Sequence, residues 1–453
     1  MRRSDRVARR SQVASSGAWS GRRSLDRRGL FRLAGAAVLA APAGGLLVAC
    51  SGSESSSGPR PVRIGYVSPR TGPLRRYADV DNYVISSMSE ILANGIKVGN
   101  TTHPVQIFVR DSQSDRNRAA AVTSDLIFVD EVDIVLASAT TDTVNPVSDQ
   151  CEANGVPCLT TEAPWQSWFF GRGGSADAPF TWTYHFSWDM TDLVRTYVEM
   201  WRQLGITSGR IGALLPFDAD GDTFANPQYG LATLANSGFQ LVPERYQPGE
   251  ANFAGHIQNF QQQDVKVITG VPSPSDFQAF WRAMNDRDYL PQAITMSKAL
   301  YFVSDVESLG ATGDGLSTEV TWSTRHPYRS SLTQQSAEEL ANQYAAEGQG
   351  WVQALGYSHA LFEVVVQALA NVDSIDNARG IAEALAAVNA QTVVGQVAFG
   401  AAAELPKNVG RIPLVGGQWI QRESSFDLRI VANNGLQVPT DGTLLDLPSV
   451  QSQ

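Results

Sequence analysis

From Val62 onward, short apolar runs alternate with longer stretches whose apolar residues recur every three or four positions. The first pattern predicts buried strands and the second amphipathic helices. Strands are read at 62–67, 105–109, 133–137 and 156–159. Helices are read at 77–94, 115–128 and 144–153, the first with Val80, Val84, Met88 and Ile91/Leu92 on one stripe. A loop containing Gly171, Gly173, Gly174 and Pro179 interrupts the series, which then restarts. Helices follow at 191–204, 224–237, 253–262, 275–286 and 299–309, with strands at 210–215, 239–242, 265–269 and 293–296. Three helices, 336–347, 352–370 and 378–388, precede strand-like pieces at 393–399, 412–420 and 427–431. This alternation predicts an α/β fold of two similar halves, each a doubly wound parallel sheet covered on both faces.

The chain has 453 residues, more than one ordinary domain holds. Its 43% hydrophobic and 18% charged residues are globular values, which exclude wholesale disorder, collagen and coiled coil. A net charge of −10 argues against a nucleic-acid partner. The charge is uneven, however. The first 49 residues hold ten Arg, including four Arg-Arg pairs, against two Asp, so the remainder is more acidic than the total suggests.

That leading segment reads as an address. Arg27-Arg28 precedes a weakly apolar, Ala- and Gly-rich run over 33–49, which ends in Leu47-Val48-Ala49-Cys50. The paired Arg resemble a twin-arginine export signal, and Leu-Val-Ala-Cys resembles a lipobox, which implies cleavage before Cys50 and lipidation of its thiol. An uncleaved anchor is the alternative, but the run carries Pro42, Gly44 and Gly45 and is barely long enough to span. Residues 50–61 then form the lipidated end and a polar tether. Of the three Cys, Cys151 and Cys158 remain. Outside the cytoplasm they are expected to form a disulfide, with two buried free thiols as the alternative.

In open parallel sheets, ligands bind at the carboxyl ends of strands. Those ends offer Ser68, Ser138, Ala139, Thr140, Thr160, Thr161 and Glu162 in the first half, and Asp218, Asp220, Ser273 and Lys298 in the second. Hydroxyls beside helix N-termini can hold a carboxylate, or they can simply cap the helices. Trp165, Trp168, Phe169, Phe170, Trp182, Tyr184 and Trp188 would either line an apolar pocket, with Trp165 as its candidate, or pack the halves together.

Catalytic readings fare poorly. Gly356-Tyr357-Ser358-His359-Ala360 looks like a nucleophile elbow, but it lies in a helical stretch and no His follows it. Asp218-Ala219-Asp220-Gly221-Asp222 starts like a calcium loop, yet position six is Thr223 and position twelve is Tyr229. The expectation is a non-enzyme with no metal and no cofactor.

Several segments together resemble the branched-chain amino acid type of ABC-transporter substrate-binding protein. They are 62–74 (VRIGYVSPRTGPL), 108–115 (FVRDSQSD), 133–140 (DIVLASAT), 156–161 (VPCLTT) and 353–357 (QALGY). The resemblance spans about residues 62–420. It implies a type I periplasmic-binding fold whose two lobes, joined by three crossovers, close on a ligand. Lobe one would comprise 62–186 with 321–402, and lobe two 187–320 with 403–453. It further implies ligand contacts from Ser138, Ala139, Thr140, Thr160 and Thr161, and from Asp218, Asp220, Val271 and Ser273. Where the family carries a Glu for the ligand ammonium, this chain has Lys298, which favours a second anionic group and leaves Asp218, Asp220 or Glu162 for the ammonium. The implied role is an exported, lipid-anchored monomer that delivers a small carboxylate-bearing solute to ABC permease and ATPase subunits. A ligand sensor built on the same clamp is the alternative.

Overall fold

A computed structural model describes residues 58–452, apart from Ala176, Gln349 and Ser424. The Arg pairs, the 33–49 run and Cys50 lie outside the described residues. The chain from Gly58 forms one compact unit built on two large sheets. In spatial order the first sheet runs Val409–Arg411, Thr183–Ser187, Cys158–Thr160, Ile134–Ala137, Val62–Ser68 and Val105–Asp111, all parallel. The second runs Ser425–Ala432, Val415–Arg422, Ser317–Val320, Ala293–Met296, Val267–Gly270, Gly209–Pro216 and Phe239–Tyr246. To a parallel set it adds Val415–Arg422, antiparallel to Ser317–Val320, and Ser425–Ala432, antiparallel in turn to Val415–Arg422. Two lobes result, and the chain passes between them after Ser187, after Val320 and after Arg411.

The central strands carry almost no polar alternation because both faces are covered. Every residue of Ile134–Ala137, Val267–Gly270, Ala293–Met296 and Ser317–Val320 is buried, as expected of parallel sheets between helical layers. Helices begin where a short polar side chain takes an orphan amide. Asp115 caps Arg116–Phe128, Asp189 caps Met190–Gln203, and Ser336 with Glu339 forms a capping box on Ala337–Ala345.

The predicted helix at 224–237 does not form as one element. Asp218 starts a helix earlier, Ala219–Ala225, and Leu231–Ser237 is 3₁₀. Pro227 and Gly230 separate the two by removing an amide and supplying a flexible joint. The helix read at 299–309 likewise splits into Lys298–Leu300 and Val303–Glu307. The piece at 393–399 becomes a hairpin, Asn389–Thr392 with Gly395–Ala398. The sequence placed 403–453 in the second half, but Val409–Arg411 pairs with Thr183–Ser187 in the first sheet. Strands Thr183–Ser187 and Ser317–Val320, helix Trp165–Phe170 and the small Ile96–Val98/Thr101–His103 hairpin escaped the pattern reading.

The expected disulfide is absent: Cys151 and Cys158 are free and buried. They sit in an apolar cluster with Val147 and Trp168. Burial there pushes the Cys151 thiol well up, and the thiolate that bond formation requires is suppressed.

The elbow-like motif also has a packing explanation. It lies in helix Ala354–Leu369, where a Cβ on Gly356 would stand 2.5 Å from the buried Trp322 ring. Ser358 Oγ donates to buried Asp81 at 3.0 Å, and His359 pairs with Ser330. Asp81 also accepts from Tyr66 (2.6 Å), Ser68 (2.7 Å) and Ser138 (3.0 Å). One carboxylate thus joins the first strand, the loop after the third strand and two helices. Asp81→Ala would strand four hydroxyls in the core and is expected to destabilise the protein by about 3 kcal/mol. Urea unfolding tests this, and a loss below about 1 kcal/mol would show that the network contributes little.

Candidate functional site

Counted along each half, both sheets place their first five parallel strands in the order second, first, third, fourth, fifth, and the first sheet adds Val409–Arg411 as a sixth. Connections leaving the first and third strands then part to opposite faces and open a crevice at the carboxyl ends. Residues 138–141 bound it in the first lobe, and residues 217–220 and 271–273 in the second. The two crevices meet at a cavity of about 30 Å³, roughly one water's share of liquid volume. Tyr77, Thr140, Glu162, Ala163, Pro164 and Trp188 line it from one side, and Asp220, Phe224, Val271, Ser297, Lys298, Tyr301 and Glu319 from the other.

Five of the ligand candidates singled out from the sequence therefore reach the cavity: Thr140, Glu162, Asp220, Val271 and Lys298. Thr140 starts helix Thr141–Asn154 without using its hydroxyl as a cap. Asp218 stands just behind, capping its own helix through the Gly221 amide at 2.8 Å and 3.9 Å from the Lys298 ammonium. The other six are engaged elsewhere. Ser138 serves Asp81, and Ala139 is buried in the core. Thr160 pairs with His185 at 2.9 Å, and Thr161 donates to the Phe186 carbonyl at 2.6 Å. Ser273 caps helix Pro274–Asn285. Trp165 donates to Asp189 at 2.9 Å. Most of the aromatic cluster packs the first lobe, with Trp168 stacked on His185 and Arg172 over Phe180. Phe170 and Trp188 are the members that face the cleft region, Phe170 by stacking on Tyr229.

Lys298 Nζ lies 2.7 Å from Asp220. Burial lowers its affinity for the proton, but Asp220, Asp218 and Asp142 outweigh that and hold it above the ordinary lysine value. Its ion-pair partners, Asp220 and Asp218, both lie in its own lobe. Glu162, one of the residues left for a ligand ammonium by the sequence, accepts at Oε1 from the hydroxyl of Tyr301, which the sequence did not single out, at 2.9 Å across the cleft. Burial pushes the Glu162 carboxyl well up, with a further push from Asp81, while the Tyr301 bond pulls it down. Its other oxygen, Oε2, is buried without a partner, as is Trp188 Nε1. Glu319 is buried too, but Ser297, Tyr197 and Thr318 all donate to it. The signal for Glu162 was its place one residue beyond a strand-end Thr pair. Tyr301 had none beyond proximity to Lys298.

A second contact between the lobes lies beside the cavity. Arg76 meets Asp305 at 2.7 Å and Ser304 Oγ at 2.7 Å, and the Tyr77 ring packs edge-on to Phe302 at 4.9 Å. Among the described residues no cluster of His, Cys, Asp and Glu could hold a metal ion, and no helix is long and apolar enough to cross a membrane.

A family profile described as periplasmic binding protein matches residues 61–410. No curated protein matches the chain. Among solved structures it is similar to the substrate-binding protein LivJ from Streptococcus pneumoniae in complex with isoleucine. The identity is 14% and the TM-score 0.64, covering 82% of this chain and 100% of that one. It is also similar to the leucine-binding protein LivK from Thermotoga maritima, at 15% identity and TM-score 0.67 over 82% and 99%. A type 1 periplasmic binding protein from Bordetella pertussis shows 15% identity and TM-score 0.68 over 82% and 100%.

Asp305 supplies a pH test. Burial raises its carboxyl from 3.8 to about 6, against the opposing pull of Arg76. Between those values the folded state keeps a proton that the unfolded chain has lost, so this group's contribution to stability falls as pH rises through the window. Unfolding free energy of the wild type relative to Asp305→Asn is expected to decline from about pH 4 to about pH 7. A difference constant with pH would refute the assignment.

Proposed function

The chain belongs to the periplasmic binding protein family, and we propose that it is the extracytoplasmic substrate-binding component of an ABC importer, capturing a small carboxylate-bearing solute of amino-acid type. The observation that carries this reading is the cavity at the meeting of two switch-point crevices, to which both lobes contribute side chains. One structural neighbour is in complex with isoleucine and another is named as a leucine-binding protein, which supports the amino-acid class.

The mechanism is reversible capture. A cavity of about 30 Å³ admits a whole solute only when the lobes part, which separates Tyr301 from Glu162 and Arg76 from Asp305. A solute that touches both lobes then favours their approach by its differential affinity for the closed arrangement. Thr140 and the amides opening helix Thr141–Asn154 are suited to a carboxylate, through hydrogen-bond donors and the helix dipole. No bond is made or broken. Permease and ATPase subunits would be the partners, Cys50 the site of the lipid anchor, and the monomer the working unit.

Thermal unfolding of the full chain against a panel of amino acids, amides and organic acids tests the proposal. A true ligand at a hundredfold over its dissociation constant stabilises the native state by about 2.7 kcal/mol. Thr140→Val is expected to weaken that ligand roughly tenfold. If no compound of the panel shifted the transition, the amino-acid reading would fall.

A further inference from the structure

The lobes also touch outside the cavity, at two places related by the likeness of their sheets. Arg76 and Tyr77 lie in the first turn of the helix after the first strand of lobe one. They meet residues 301–305, which follow the fourth strand of lobe two. Phe170 ends the helix after the fourth strand of lobe one. It meets Tyr229, which follows the first strand of lobe two. Each lobe thus presents its first-strand connection to the fourth-strand connection of the other. Arg76, Asp305, Phe170 and Tyr229 do not line the cavity, so a solute lodged there need not touch them.

The two contacts differ in kind. The first is polar. Asp305 is 6% exposed, its Oδ1 lies 2.7 Å from Arg76 Nε, and its Oδ2 has no hydrogen-bond partner. Arg76 also donates from Nη1 to Ser304 Oγ at 2.7 Å. Asp305 therefore draws its counter-charge from the other lobe, and parting the lobes removes it. Tyr77, the next residue along, packs on both Tyr301 and Phe302 at 5.9 and 4.9 Å. The second contact is apolar. Phe170 is 45% exposed and stacks on Tyr229 at 5.9 Å, the rings 17° from parallel. Parting the lobes returns the covered ring faces to water.

We propose that these two contacts form a latch, which holds the lobes together without a solute and governs how slowly a captured solute leaves. The inference goes beyond solute capture, because it assigns part of the closing free energy to residues that the solute does not touch. A solute supplies only the remainder through its differential affinity for the closed arrangement. It leaves only when the lobes part, so its release quickens by the factor by which the latch is weakened. Arg76, Asp305, Phe170 and Tyr229 are thus positioning residues, which act on capture through the distance between the lobes. Their shares are unequal. Loss of the charged hydrogen bonds of Arg76 lowers the closed-to-open ratio roughly tenfold or more. Loss of the aromatic stack lowers it roughly two- to tenfold.

The experiment is small-angle X-ray scattering of the full chain with no solute added. Wild type is compared with Arg76→Ala, Arg76→Lys, Tyr229→Ala and the double variant Arg76→Ala/Tyr229→Ala, each checked by circular dichroism for an unchanged fold. Wild type is expected to have the smallest radius of gyration and the double variant the largest, its closed-to-open ratio lowered roughly twentyfold or more. Arg76→Lys keeps the charge without the planar fork and should lie between wild type and Arg76→Ala. Equal radii for wild type and the double variant would overturn the inference. Leucine serves as the solute probe, its release followed by stopped flow and expected to quicken roughly tenfold or more in Arg76→Ala. Leucine released at the same rate by wild type and Arg76→Ala would overturn the latch and leave the amino-acid reading intact. Expansion of the double variant, with leucine bound by none of the proteins, would support the latch and count against leucine as the solute.

Discussion

A carboxylate taken out of water survives only if hydrogen-bond donors replace those it leaves behind, or if it takes a proton. This protein meets that constraint in its core with hydroxyls and amides more than with cations. Asp81 receives four hydroxyls, Glu319 receives three, and Glu363 receives the Ser331 amide and hydroxyl with the Val393 amide. Each carboxylate gathers segments far apart in sequence. Asp81 ties residues 66, 68, 138 and 358, and Glu363 ties 331 and 393 to helix Ala354–Leu369. A cation could satisfy one oxygen from many directions. Several short hydroxyls fix the geometry, because each must approach within hydrogen-bond distance from its own strand or helix.

That fixing matters most beside the cleft, where the backbone is least comfortable. Ala139 and Thr140 have φ of 66° and 25°, Glu162 has 62° and Lys298 has 21°. Residues with side chains avoid this region, and a β-branched Thr there is a genuine outlier. Such conformations persist only where their surroundings over-determine them. Ser138, immediately before the first pair, is anchored to Asp81. Glu162 follows Thr161, whose hydroxyl grips the neighbouring strand, and Lys298 is held by Asp220 and follows Ser297, which bonds Glu319. The internal hydroxyl network and the outward-turned binding loops are thus two parts of one construction, since the first holds the second in place.

The alternation of strands and helices was legible because parallel strands buried on both faces must be nearly all apolar, and their covering helices must be amphipathic. Elements that broke those rules were not. Strand Ser317–Val320, Ser-Thr-Glu-Val, is buried yet polar, because Ser317 pairs with Thr295 and Glu319 belongs to a hydroxyl network. Thr183–Ser187 hid among aromatics and a His that turn out to be core. The site was legible only by position. Strand ends predicted where ligand residues must lie, but not which of two neighbouring hydroxyls turns inward. Thr140 faces the cavity while Ser138 serves Asp81, and nothing in Ser-Ala-Thr distinguishes them. Tyr301 was invisible because its partner, Glu162, is 139 residues away.

Lys298 and Glu162 show how partners, more than residue type, decide what a charged group can do. Read alone, a lysine at a ligand-binding position suggests an anionic guest. With two aspartates of its own lobe beside it, it becomes a structural cation already paired. Glu162 is the reverse case. It resembles the other buried carboxylates in depth, but it receives one hydroxyl where they receive three or four donors, and that hydroxyl comes from the opposite lobe. Separation of the lobes would take away its only donor, and their approach restores it. The cost of leaving Glu162 incompletely matched is therefore tied to the distance between the lobes, so a donor brought by a solute is worth most when both lobes close around it.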